Sequence, residues 1–525
     1  MKSISKLIHE GTYNQALLET DKLYQKVRDL EASKSYLLAQ SNFAGFYVDI
    51  GAALSDKKIS KKGLDIFEQF SDELKELLGN ETYFYNLANA KTSVISIEKP
   101  SEDVFSAIEP IIDAKDTFWK AYKASSNQSS KIAAQCLVNL GNNLCQQSRV
   151  VEAIENYDRA IALGFDIPEA WLGRSRALLL LNSLSSSYSI ELLEQVKLGY
   201  EKAIQSKCIS TKYAQYYEEK IKILNNQIGL ILQQAGLQDD PHNDEKTKEE
   251  FKQLSDYRKF CLEQHLTLSE HGLYCPCVGS ARDNLTIPTR FGVIGQFVPS
   301  MERVLNQLKS EFSFARKLYF SSASSHDYTT YDHDSCFSDL LNNELLGTEI
   351  EGLKAAYKAC FGILDKIAVA ICETFEVHPS NENIYFTSFW KLNQDNRVDR
   401  FNKIRNPSLL SLYSIATDLS KNKKSLGEWA FLRDIRNYLE HKFLAICDEY
   451  FQEEALNDPF ETLTIEQHLR IVSKSEFLEN LEKLLHLTRS AIFSFVFMIR
   501  HEATKSTSND DVIHIENTIH SKDYI

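Results

Sequence analysis

The chain has 525 residues, of which 43% are hydrophobic and 25% charged, and its net charge is −14. That length exceeds what one hydrophobic core holds, so two or three domains are expected, and the acidity argues against a protein that coats nucleic acid indiscriminately. Gly (19) and Pro (10) are scarce, which disfavours turn-rich β architecture and leaves long helices.

The first residues, MKSISKLIHEGTYNQ, lack the apolar stretch of a signal peptide. The run Ala491–Ile499, interrupted by Ser494, is far short of the roughly 20 residues that span a bilayer. Ten cysteines fall without framework spacing, the pattern of reduced thiols. A cytoplasmic protein with no membrane contact is expected. No Walker-type glycine-rich loop occurs, which argues against ATP-driven function.

In chain order, the first third reads as amphipathic helices at Tyr13–Val27, Ser35–Leu54, Gly63–Leu78, Tyr83–Ile97 and Val104–Ala124. A repeat follows. Leu137-x2-Leu140-Gly141-x2-Leu144 precedes Ala153-x3-Tyr157-x2-Ala160, and Trp171 falls 34 residues after Leu137. That is the period and residue pattern of a tetratricopeptide repeat, in which small residues let two antiparallel helices approach. The next unit opens at Trp171 and its Tyr200-x2-Ala203 pair arrives late, after an insertion. Residues 1–236 are therefore expected to form a tetratricopeptide-like helical array, and such concave arrays bind a protein or peptide partner.

Residues 237–250 are polar, charged and carry Pro241, as a linker does. Residues 251–300, with Cys275-Pro276-Cys277 and Thr286-Ile287-Pro288, show little periodicity and are expected to be an irregular connection. Residues 301–502 contain four long helical patterns, Met301–Ser321, Leu353–Phe375, Leu426–Tyr450 and Phe477–Arg500, with an insertion at about 378–425. In the second, Leu353, Tyr357, Cys360, Leu364, Ile367, Ile371 and Phe375 form a sustained stripe of helical period, the mark of a bundle helix. Residues 503–525 form a polar tail. The fold class expected is all-α, a repeat array followed by a four-helix bundle.

The third bundle pattern carries Arg433-Asp434-Ile435-Arg436-Asn437-Tyr438-Leu439-Glu440-His441-Lys442. Arg436-Asn437-x3-His441 fits the Arg-x(4–6)-His motif of HEPN domains, with Asn after the Arg. Tyr257-Arg258-Lys259-Phe260-Cys261-Leu262, Ser388-Phe389-Trp390 and Arg405-Asn406-Pro407-Ser408-Leu409-Leu410 add to this. Over about residues 250–502 the chain resembles a bacterial HEPN subfamily in which a helical region precedes the HEPN bundle. The resemblance implies metal-independent RNA cleavage leaving a 2′,3′-cyclic phosphate and a 5′-hydroxyl, in host defence or toxin–antitoxin systems, by a homodimer formed through the HEPN domain.

The residues suit that chemistry. An imidazole titrating near neutrality can take the 2′-hydroxyl proton or return one to the leaving oxygen. A guanidinium answers the charge that builds on the phosphorane. On an ideal helix Asn437 lies about 40° from His441 and Arg436 about 140° from it, so one helix does not readily join Arg and His. Cleavage uses an acid and a base, and each motif offers one His. Two motifs across a two-fold axis resolve both difficulties. Lys391 to Lys442 holds 11 Lys/Arg against 6 Asp/Glu, which favours phosphate; Arg405, Arg433 and Lys442 are the candidate RNA contacts.

Plainer readings stand beside these. Arg436 can form a surface ion pair with Glu440, and Arg405 and Arg433 can be solvated charges. Asp365 is either a partner of the motif or an exposed flank. Cys261, His265, His271, Cys275 and Cys277 match no common structural zinc spacing, and His326, Asp327, Asp332, His333 and Asp334 read as a solvated loop, so no metal and no cofactor are expected. The function expected is a metal-independent endoribonuclease effector whose repeats sense a partner. The rivals are a non-enzymatic scaffold and a HEPN protein that binds RNA or a nucleotide without cutting it.

Overall fold

Apolar stripes of helical period become helices throughout a computed structural model of the chain. It describes residues 1–27, 30, 33–96, 103–125, 129–185, 189–235, 244–287, 300–323, 337, 343–379, 383–394, 396–420, 427–448 and 468–505. Two compact units emerge. One comprises Met1–Leu180 and Leu193–Ile228, the other Leu181–Leu192 and Gly229–Ile525. Residues 237–243 of the expected linker, His326, Asp327, Asp332, His333 and Asp334, and the tail beyond Lys505 lie outside the described residues.

The helices from the N-terminus are α1 (Lys2–His9), α2 (Tyr13–Val27), α3 (Lys34–Leu54), α4 (Lys57–Gln69), α5 (Ser71–Leu78), α6 (Asn80–Ser96), α7 (Val104–Ala124), α8 (Lys131–Gln146), α9 (Val150–Ala162), α10 (Pro168–Ser185), α11 (Ile190–Ile204) and α12 (Thr211–Ala235). Their starts follow capping chemistry: Ser33, Asp56, Asp103 and Ser130 each accept hydrogen bonds from first-turn amides. The single helix expected at Gly63–Leu78 is two. Asp56 starts α4 six residues early, Phe70 leaves helical geometry, and Asp72 and Glu73 favour a new N-terminus there.

The segment with the repeat pattern shows why its glycines matter. Tyr157 of α9 is fully buried and donates to Asn142 Oδ1 at 2.8 Å. A Cβ on Gly141 of α8 would lie 2.7 Å from its ring, and one on Gly173 of α10 would lie 2.3 Å from it. The ring fills the space that two missing side chains leave.

The second unit contains α13 (Asp244–Gln253), α14 (Asp256–Glu263), 3-10 turns at His271–Leu273 and Val278–Ala281, α15 (Ser300–Ala323), α16 (Thr348–Phe375), α17 (Arg397–Ile404), α18 (Pro407–Asp418), α19 (Ala430–His441), strands β1 (Phe443–Cys447) and β2 (Leu469–Ser473), and α20 (Lys474–Lys505). Leu353, Tyr357, Cys360, Leu364, Ile367 and Ile371 of α16 are all fully buried, as the stripe predicts. The α16 helix packs on α15, α19 and α20, and α20 also takes α15 and α18. Buried residues run almost without a break from Leu484 to Ile499, so α20 is covered on most sides.

The third bundle helix, expected to run from Leu426 to Tyr450, is shorter. It ends at His441, Lys442 adopts extended geometry, and Phe443–Cys447 pairs in parallel with Leu469–Ser473, Phe443 opposite Leu469. Leu444, Ala445, Ile446 and Cys447 are all buried, which a helix with one wet face would not allow. An unbroken apolar run serves either geometry, and pairing with a distant segment decided it.

Residues 251–287 are ordered by three arginines of the bundle. Arg316 on α15 donates to the Leu266 carbonyl at 2.7 Å and grips the Asp283 carboxylate at 3.0 and 2.7 Å. Arg489 on α20 donates to the Thr267 carbonyl at 2.8 Å. Arg500 donates to Glu270 at 2.6 Å and to the Thr286 carbonyl. No described helix is long and apolar enough to cross a membrane.

Candidate functional site

The motif lies in the last turns of α19. Gly427, ahead of that helix, comes so close to the end of α18 that a Cβ would meet the Thr417 and Asp418 carbonyls at 2.3 Å. The Trp429 amide donates to the Asp418 carbonyl at 2.8 Å. Ala430, Leu432 and Ile435 face inward, and the Tyr357 hydroxyl of α16 donates to the Leu432 carbonyl at 2.9 Å. These contacts fix the rotation of α19, and with it where the motif side chains point.

Arg436 turns toward α16. Its guanidinium lies 5.1 Å over the Phe361 ring, Nη2 is 3.1 Å from Asp365 Oδ2, and Nε donates to Glu440 Oε2 at 3.2 Å. Asp365 is therefore a partner of the motif. Its other oxygen accepts from the Phe386 amide at 2.8 Å, which ties the site to the insertion. Burial raises the Asp365 pKa above the ordinary carboxylate value, against the Phe386 amide and Arg436, which lower it.

His441 is the last residue of α19, with 73% of its side chain exposed, and its Nε2 lies 3.8 Å from Glu440 Oε2. One carboxylate oxygen thus stands between Arg436 and His441. The helix alone does not join them; Glu440 does. Asn437 is exposed.

Of the candidate RNA contacts, Lys442 follows the motif directly. Its Nζ lies 4.8 Å over the Tyr438 ring, and both residues line an open groove with Leu439, Phe443, and Lys354 and Lys358 of α16. Arg433 is half-buried on α19, one turn before Asn437. Arg405 sits on a separate element, exposed at the end of α17 with φ +50°. Its neighbour Asn406 is structural: the side chain caps α18 and donates to the Met498 carbonyl at 3.0 Å and to Glu502 at 2.8 Å on α20. Trp390 is likewise buried, donating to the Phe386 carbonyl at 2.9 Å. Glu440, four residues after Arg436 on the same helix, was legible as its ion-pair partner, whereas Asp365 was open to two readings, since a carboxylate on another helix carries no local signal.

Residues 294–502 match the LA2681-like HEPN family. The chain therefore carries a HEPN domain, and the bundle with its motif on α19 is that domain. HEPN domains are often ribonucleases, and they typically bind RNA and dimerise. No curated protein matches the chain.

Proposed function

We propose that the chain is a metal-independent endoribonuclease of a bacterial defence or toxin–antitoxin system, acting through Arg436, Asn437 and His441, with the helices of the first unit binding a protein partner that controls it. The observation that carries this reading is the division of labour within the motif. Arg436 is held by two carboxylates and an aromatic face, while His441 projects into solvent one helical turn from exposed Asn437. A fixed cation and an exposed imidazole are what phosphoryl transesterification needs. The 2′-oxygen attacks phosphorus, imidazole accepts its proton, and a proton returns to the departing 5′-oxygen.

Glu440 faces the same two groups, so a phosphate entering there must displace or outbid its carboxylate. A second copy of the motif across a two-fold axis supplies the second imidazole and further positive charge. Lys442 and Lys358, at the groove beside the motif, are suited to hold flanking phosphates.

The test is RNA cleavage by the full-length protein without added divalent metal, set against His441→Ala. Wild-type cleavage leaving cyclic phosphate ends, lost in the variant, supports the reading. Tight RNA binding without cleavage by the wild type favours a non-cutting HEPN protein. Neither binding nor cleavage leaves the scaffold.

A further inference from the structure

A second cluster of chemistry-bearing side chains lies in the arginine-clamped segment. Among the described residues, His271, Cys275 and Cys277 bring a ring nitrogen and two thiol sulfurs within 4.8 Å of one another. The 3-10 turn His271–Leu273 folds the chain so that the Cys275 amide donates to the His271 carbonyl at 3.0 Å. On the far side, the Ser280 amide and hydroxyl donate to the Cys277 carbonyl at 3.0 and 2.5 Å. With Pro276 between the thiols and a pinned turn on each side, the three groups converge because the backbone leaves them little choice.

We propose that His271, Cys275 and Cys277 form a structural zinc site, its fourth position taken by water. Zinc favours nitrogen and thiolate ligands in a tetrahedron, with bond lengths of about 2.0–2.3 Å that place ligand atoms about 3.5–3.8 Å apart. The observed spread of up to 4.8 Å closes with a side-chain movement of about an ångström. His271 Nδ1 lies 3.3 Å from the Tyr274 hydroxyl, an oxygen that can take the outer-partner position of a ligating imidazole and leave Nε2 for the metal.

The charge count also favours a divalent cation. Binding releases the two thiol protons to solvent, and two thiolates then neutralise Zn2+, so a neutral set is enclosed. Cys275 is buried while His271 and Cys277 remain partly open, which gives the ion a way in. Glu270, beside His271, is the residue gripped by Arg500. Metal at this point would staple the segment onto α20, on elements distinct from the motif helix α19.

The experiment uses the full-length protein, reduced and kept from oxygen, with one equivalent of Co2+ as probe. Expected is thiolate-to-cobalt charge-transfer absorption saturating at one ion per chain and bleached by one equivalent of Zn2+. The double variant Cys275→Ser with Cys277→Ser should lose it, and His271→Gln should weaken zinc beyond the roughly 10- to 100-fold cost of losing an outer-shell partner. His441→Ala should keep it. Absence of the band in the wild-type protein overturns the proposal whatever the variants do. So does an unchanged band in the double variant, which would assign the metal to other cysteines.

Discussion

At the residue scale the motif separates a group held on several sides from one that is mostly exposed. Asp365 touches Arg436 at 3.1 Å and is itself held by the Phe386 amide, so in the proposed reaction its part is to position the guanidinium. Asp365→Asn should lower kcat by roughly ten- to a hundredfold, the cost of about an ångström of misplacement. RNA affinity should change much less. A parallel loss in affinity, or no loss in rate, would remove Asp365 from the site. His441→Ala should abolish cleavage while changing stability by no more than about 0.5 kcal/mol, since the side chain is mostly exposed. Urea denaturation and circular dichroism check the second half. A variant that still cuts would locate the chemistry elsewhere.

At the element scale, two contacts decide how helices and loops hold together. Gly173→Ala would ordinarily gain about 1 kcal/mol of helix propensity. Here the new methyl would lie 2.3 Å from the fully buried Tyr157 ring, and overfilling of that kind costs about 1–3 kcal/mol. The overlap should win, and the variant should melt at lower temperature than wild type. A higher melting temperature would mean the ring can move. The second contact is Asp283 with Arg316. Burial alone would raise the Asp283 pKa, but the Arg316 charge and its hydrogen bonds outweigh burial and lower it. A folded-state value below the unfolded one stabilises the fold above an unfolded pKa of about 3.9, and that stabilisation is lost as pH falls through the folded value. Asp283→Asn should therefore cost about 3 kcal/mol at neutral pH, and the gap to wild type should close below about pH 4. A gap independent of pH would assign the loss to shape and not to charge.

At the scale of the whole molecule, the question is whether one chain completes the reaction. Each motif offers one imidazole, while transesterification uses an acid and a base. A working enzyme should therefore scatter light as a dimer, about twice the 60.1 kDa chain. Mixing Arg436→Ala chains with His441→Ala chains tests the sharing directly. Heterodimers keep one intact Arg and one intact His on opposite copies, so partial cleavage should return if those two groups act across the interface, and only slight cleavage if the second imidazole is also required. A strict monomer that still cuts RNA would refute the shared site. The charge of −14 bears on this scale too. The groove beside the motif holds Lys354, Lys358 and Lys442 together with Glu344 and Glu351, and Glu351 pairs with Lys354 at 2.8 Å.

Periodicity alone determined most of the helical architecture. Leu353 through Ile371 is written in the spacing of the stripe, and Gly141 and Tyr157 announce their close approach in a 34-residue pattern. Helix identity is local, carried by side chains three and four apart, and so it survives reading in one dimension. The Arg436-Asn437-x3-His441 motif was legible for the same reason, its residues lying within two turns of one helix. What the sequence did not determine depends on segments far apart in the chain. The strand Phe443–Cys447 takes its geometry from Leu469–Ser473. Asp365 becomes part of the site only because α16 lies under α19. His271, Cys275 and Cys277 meet only because two turns and a row of arginines fold an aperiodic segment back on itself. In each case the deciding energy is a contact between residues with no short-range signature, and tertiary structure alone brings them within reach.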